Sequence, residues 1–244
     1  MIDNKKYPPE GVSHEEPSIP LGSDLALQPS DLLPGDVLLY RPRSPNVIQR
    51  AISSATGSPY THAAIYLGAG LIAESGVPFG VTKSALQDST QGNQCIAVLR
   101  SQLGFSGDRP GRLNEFVAEV LEHRKFYNLI AVASFSKRSA EHFSNQLEFI
   151  KENYCKVTSD EEFAKRSFFC SAFVVACYAV AGVIGETAQV AYQPNNFSPG
   201  HLSEDPTFGW LLGYLIPEGG AISPDDPLLT QATLWRDCQD VRWW

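Results

Sequence analysis

The sequence predicts an α+β fold in which an antiparallel β-meander or barrel comes first and a helical part follows. Two observations predict it. Between Val37 and Arg100 several short apolar, β-rich runs follow one another, each bounded by glycine or polar turn residues. From about Asn114 the apolar residues change to helical spacing and keep it as far as Gly182.

The elements can be justified in order. Residues 1–30 carry Pro8, Pro9, Pro17, Pro20 and Pro29 among polar residues, so an N-terminal arm is expected, with the folded body starting near Asp31. The segment LLPGDVLLYRPR places a turn at Pro34-Gly35-Asp36 before a strand. NVIQRAISSATG spaces Val47, Ile48, Ala51 and Ile52 as on a helix, with Gly57 ending it. HAAIYLG, GLIAESG, GVTKSAL and CIAVLRS read as strands of the meander. LNEFVAEVLEHRKF, NLIAVASF, NQLEFIKENY and FCSAFVVACYAVAG read as helices. After Gly185 the chain reads as loops around one apolar patch, GWLLGYLI, and residues 219–244 read as a C-terminal extension.

With 244 residues, 43% of them hydrophobic, the chain is long enough to bury a core without staples. A formal charge of −8 and the lack of a basic run exclude the electrostatic footprint of a nucleic-acid-binding protein. The longest apolar stretch, Phe168 to Ile184, is interrupted by Cys170, Ser171, Cys177, Tyr178 and Gly182, so a buried helix is expected and no transmembrane segment. The N-terminus lacks the apolar region of a secretory signal, which makes the cytoplasm the default location, with export by a signal-independent route as the alternative.

Cys95, Cys155, Cys170, Cys177 and Cys238 are odd in number and irregular in spacing, which argues against a disulfide framework and offers no zinc pair. Neither a metal nor a nucleotide site is indicated, because His123 and His142 lack acidic partners at ligand spacing and no GxGxxG or GxxxxGK occurs. No cofactor is expected.

Cys170 opens the most apolar helix, where the unsatisfied N–H groups and the positive end of the helix dipole favour a thiolate and would also hold an oxyanion. A thiolate needs an imidazole partner, and His62 on HAAIYLG is the candidate. Glu74 follows twelve residues later across the Gly68-Ala69-Gly70 turn, nearly equidistant from it, so a direct cross-strand His62–Glu74 pair is expected. Such a carboxylate fixes the imidazole tautomer and leaves the other ring nitrogen for the thiol proton. His201, in SPGHLSED, is a further candidate to reach the site from a loop.

The order GDVLLYR, THAAIYLG, AESG, YN and FCSAFV resembles the circularly permuted NlpC-like papain-fold proteins of the YiiX type. Lecithin:retinol acyltransferase-like proteins share the layout, with the histidine strand before the cysteine helix. The resemblance spans residues 31 to about 200. It implies a permuted papain-like catalytic domain over 31–218, with Cys170 as nucleophile, His62 as general base and Glu74 as the third polar residue. It further implies that Tyr127, in KFYN, lines the oxyanion side, and that Asp36 is a structural turn residue. The implied activity is a thiol-dependent hydrolase cleaving an amide of peptide or cell-wall type through a thioester. The alternatives are a lipid acyl hydrolase or acyltransferase using the same site, or a non-catalytic module binding a peptide or lipid in the cleft. A delivered effector, whose arm or C-terminal tail engages a protein partner, is a further reading.

Overall fold

The structure is a computed structural model and describes residues 23–123, 125–127, 135–154, 156–230 and 234–235. Most of the proposed arm, most of NLIAVASF, and Cys155 and Cys238 lie outside the described residues.

The fold is α+β, built on one open six-stranded antiparallel sheet in the order β4-β3-β2-β1-β5-β6. The strands are β1 (Val37–Pro42), β2 (His62–Gly68), β3 (Leu71–Gly76), β4 (Gly80–Ala85), β5 (Asn93–Arg100) and β6 (Trp210–Leu215). The first four form an antiparallel meander, whereas CIAVLRS, expected as a strand of the meander, leaves it as β5 and pairs with β1. The sheet does not close into a barrel, because β5 returns to the free side of β1 and β6 adds beyond it, leaving β4 and β6 as edges. β6 is the patch GWLLGYLI, which the sequence reading left among loops; its pairing with β5 joins residues more than a hundred positions apart.

Alternation along the strands creates two apolar layers. Val37, Leu39, Ala63 and Ile65 face the larger core, whereas Leu38, Tyr40, Ala64 and Tyr66 face a smaller one that also takes Leu32 and Leu86. The larger core is filled by the helix Cys170–Val180, every residue of which is buried. A helix apolar on all sides can sit only in an interior. Its Tyr178 hydroxyl lies 3.0 and 3.1 Å from the carbonyls of Gly35 and Phe208, so this buried polar group is partnered. Gly35 adopts a positive φ of 92° in the predicted turn, and a Cβ there would run into the Phe105 ring.

The remaining described helices are α1 (Val47–Thr56), α2 (Leu86–Thr90), α3 (Arg109–His123), α4 (Phe135–Ser144), α5 (Gln146–Asn153), α6 (Asp160–Ala164), α8 (Pro199–Glu204) and α9 (Pro227–Thr230), with Cys170–Val180 as α7. α1 is capped by Asn46 and ends, as expected, at a left-handed Gly57. None of its residues is buried, and Val47 is 73% exposed. α3 turns Leu113, Phe116, Val117 and Val120 to the core at i, i+3, i+4 and i+7 spacing.

Segments at both ends of the described chain pack against the body of the fold. Leu25 is buried and Leu27 donates its N–H to the Tyr214 carbonyl at 2.8 Å, so residues 23–27, assigned above to the arm, pack along β6. At the other end the supposed extension supplies Asp226, which is fully buried. Its Oδ1 accepts from the Tyr60 hydroxyl at 2.6 Å, the Tyr214 hydroxyl at 2.9 Å and the Leu228 N–H at 3.1 Å. Oδ2 faces Arg41 Nη1 at 3.3 Å, while exposed Asp225 takes Arg41 Nη2 at 2.9 Å. Removing a buried charge partner strands everything that pointed at it. Asp226→Ala is therefore expected to lower stability by about 3–5 kcal/mol in urea unfolding, whereas Asp225→Ala leaves it nearly unchanged.

Candidate active site

The first turn of α7 meets the sheet where β2 and β3 part. Their ladder ends at Ala64–Glu74, and beyond it Ser75 and Gly76 pair only with β4. In that fork the Ser75 hydroxyl, itself buried, donates to the Phe168 carbonyl at 2.9 Å and fixes the chain two residues before Cys170. On the other side the Ser171 hydroxyl donates to the Phe197 carbonyl at 2.7 Å. Cys170, only 3% exposed, is thereby placed with its sulfur against the Ala63 and Ser171 N–H groups and the His62 ring.

His62 and Glu74 meet, but not as the direct pair expected. The hairpin turns on Ala69-Gly70, both at positive φ as in the tight turns that suit strand twist, rather than centring on Gly68. A register shift at Leu67 then sets Glu74 opposite Ala64, so His62 reaches it on the diagonal. His62 Nε2 lies 2.6 Å from Glu74 Oε2, which leaves Nδ1 for the sulfur. Directly opposite His62 on β1 is Tyr40, whose ring packs 5.3 Å from the imidazole.

Burial alone would push the Cys170 thiol up and the His62 imidazolium down. The two charges reverse both effects. The His62 charge and hydrogen bond, with the Ala63 and Ser171 N–H groups, hold the thiol below its ordinary value. The Cys170 sulfur, then Glu74, push His62 up to about 10. Glu74, despite burial, is held below the usual carboxylate range by His62. These shifts favour the thiolate form of Cys170 and the imidazolium form of His62, with a carboxylate behind the ring.

Tyr127 completes the group. Its hydroxyl hydrogen-bonds both the sulfur and the backbone of Cys170, and burial and the sulfur's charge raise its pKa. The segment 125–127 is set by β4: Tyr127 N–H donates to the Pro78 carbonyl at 3.3 Å, and a Cβ on Gly80 would lie 1.9 Å from the Lys125 carbonyl oxygen. Asp36 lies elsewhere, buried at the β1 turn, where both carboxylate oxygens take Arg100 at 2.9 and 2.7 Å. His201 is not a loop residue: it belongs to the capping box of α8 and packs among Phe135, Phe143 and Phe197. Among the described residues no group of three His, Cys, Asp or Glu side chains is arranged to hold a metal ion. None of their helices is long and apolar enough to cross a membrane.

The sequence reading missed Ser75, Ser171 and Gly80, which orient the site from behind. Ser171 beside the cysteine and Ser75 beside the glutamate were visible as neighbours of candidate residues, but their partners, Phe168 and Phe197, follow only from the tertiary fold.

No protein-family model and no curated protein matches the chain. Among solved structures it is similar to the metalloprotein YiiX of Escherichia coli O157:H7, at 19% identity and a TM-score of 0.37. The match covers 59% of this chain and 63% of that one, so the chain spans less than two thirds of that protein's length.

Two outcomes follow from this geometry. Thiolate absorbance and iodoacetamide labelling of Cys170 are expected to titrate below the free-thiol value of about 8.5. In His62→Ala the midpoint moves above that value, because burial remains while the compensating charge is gone. Gly80→Ala is expected to displace the 125–127 segment, raising the thiol midpoint through loss of the Tyr127 hydrogen bond and leaving the cooperative unfolding transition in place.

Proposed function

We propose that this chain is a thiol-dependent acyl hydrolase of permuted papain-like layout, acting on an amide of peptide or cell-wall type. The observation that carries the proposal is the Cys170 sulfur set against the His62 ring, with Glu74 on the far imidazole nitrogen. The histidine strand precedes the cysteine helix, as in the permuted families that the sequence resembles.

The chemistry runs through ordinary acyl transfer. The Cys170 thiolate attacks the carbonyl carbon and the C=O electron pair moves to oxygen, where N–H groups at the start of α7 and the Tyr127 hydroxyl stabilise it. The tetrahedral adduct collapses, the C–N bond breaks, and the leaving amine takes the His62 proton. The resulting thioester is hydrolysed by a water that His62 deprotonates, which returns a carboxylic acid and the thiol. Glu74 positions the ring and favours its protonated form throughout.

The test is turnover of a panel of peptide amides, cell-wall peptides and the matching esters, with intact-mass detection of the acylated protein. Cys170→Ala is expected to abolish both, and His62→Ala to lower kcat/KM by about 10²–10⁴-fold. Glu74→Gln keeps the shape but not the charge and retains more activity than His62→Ala. Acylation that survives in Cys170→Ala, or that occurs only on phospholipid vesicles, would overturn the amide reading.

A further inference from the structure

The start of β2 has a second side. Thr61, immediately before His62, lines an open cavity of about 460 Å³ between the end of β1 and α1, together with Arg41, Arg43, Arg50, Ser53 and Ser54. In a chain of net charge −8, three guanidinium groups lining one cavity are a marked local excess of positive charge. No carboxylate lines the cavity among the described residues.

The three arginines differ in what already holds them. Arg41 is engaged by Asp225 and Asp226. Arg43 donates through Nη2 to the Glu218 carbonyl at 2.7 Å, a neutral acceptor that leaves its charge uncompensated. Arg50, exposed on α1, makes no side-chain hydrogen bond or ion pair among the described residues. Arg50, Ser53 and Ser54 sit at i, i+3 and i+4, so they form one polar face of α1. That face is turned to the cavity while Val47 and Ile48 are left 73% and 50% exposed. A helix that points its polar side inward and its apolar side outward lines a space for a polar ligand. Thr61 adds a buried hydroxyl that has no hydrogen-bond partner among the described residues, in a residue only 3% exposed.

We propose that this cavity is an anion subsite of the active site and takes a carboxylate carried by the substrate a few bonds from the amide attacked at Cys170. The substrate class becomes a short peptide with a free carboxylate beyond the scissile bond. Arg50 and Arg43 bind the carboxylate, and Thr61, directly before His62 in the chain, joins the cavity wall to the strand that carries the imidazole. Guanidinium suits a planar carboxylate because two N–H donors meet two oxygens. A soluble peptide fits an acidic protein better than an anionic bilayer, which it would repel.

The substrate assignment rests on the proposed function, so the test reads binding rather than turnover. Full-length Cys170→Ala is offered a mixed library of N-acetyl dipeptides, once as free acids and once as carboxamides, and complexes are counted by native mass spectrometry. The acids are expected to bind about 10–100-fold more tightly, the range of a charged hydrogen-bonded pair. Arg50→Glu is expected to erase the difference and Arg50→Lys to keep part of it, with both variants unfolding like the parent. Equal binding of acids and carboxamides, or a preference that survives Arg50→Glu, would overturn the subsite. Tighter binding of glycerophosphate diesters than of the acids would overturn the carboxylate assignment. Acid-selective binding without turnover by the unmodified chain sinks the hydrolase reading and leaves the subsite standing.

Discussion

The site depends on the cost of keeping a negative sulfur in a nearly water-free place. Cys170 sits on a helix whose every residue is buried, and burial alone would keep its thiol neutral and inert. The charge survives because three compensations arrive together: the His62 charge, the Ala63 and Ser171 N–H groups, and the Tyr127 hydroxyl. Cys177, seven residues along the same helix and equally buried, has none of these, and its thiol is pushed up. The contrast between two cysteines on one helix separates a charge-stabilised thiol from a core residue more sharply than exposure does.

Those compensations are properties of the sheet as much as of the helix. β2 can offer the Ala63 N–H to sulfur because its ladder with β3 stops at Ala64, and Ser75 grips the incoming chain just beyond that point. The diagonal His62–Glu74 approach has a similar origin. It comes from a two-residue turn and a register shift at Leu67, local features that rotate neither side chain off the shared face of β2 and β3. A full one-residue slip would instead send Glu74 into the larger core in place of Ala73.

Much of this was legible in sequence, for reasons that can be traced. The meander and the apolar helix are written in local periodicity, and the His62–Glu74 meeting needs only a hairpin. Cys170 is singled out by its place at a helix start. What escaped reading depends on contacts between distant segments. GWLLGYLI is too short and too uniformly apolar to declare itself a strand, and becomes β6 only because β5 presents a free edge. Residues 23–27 and Asp226 look like terminal arm and tail until Tyr214, on β6, binds both, through its carbonyl and its hydroxyl. The diagonal pairing was missed because the centre of a turn is not fixed by counting residues between two candidates.

Asp226 also ties the wall of the arginine-lined cavity and the strand that carries His62 to the core. Arg41 is held from behind by a carboxylate that two tyrosine hydroxyls and a backbone N–H have already surrounded, so its guanidinium is fixed in place before any ligand arrives. Such a charge, neutralised from the core side, gives a wall its shape more than its potential. The potential of the cavity is therefore left to Arg43 and Arg50, one resting on a neutral carbonyl and the other on an exposed helix face. Tyr60, which binds Asp226, is followed directly by Thr61 and His62. One buried carboxylate thus anchors, within three consecutive residues, the cavity wall and the imidazole that charges the thiol.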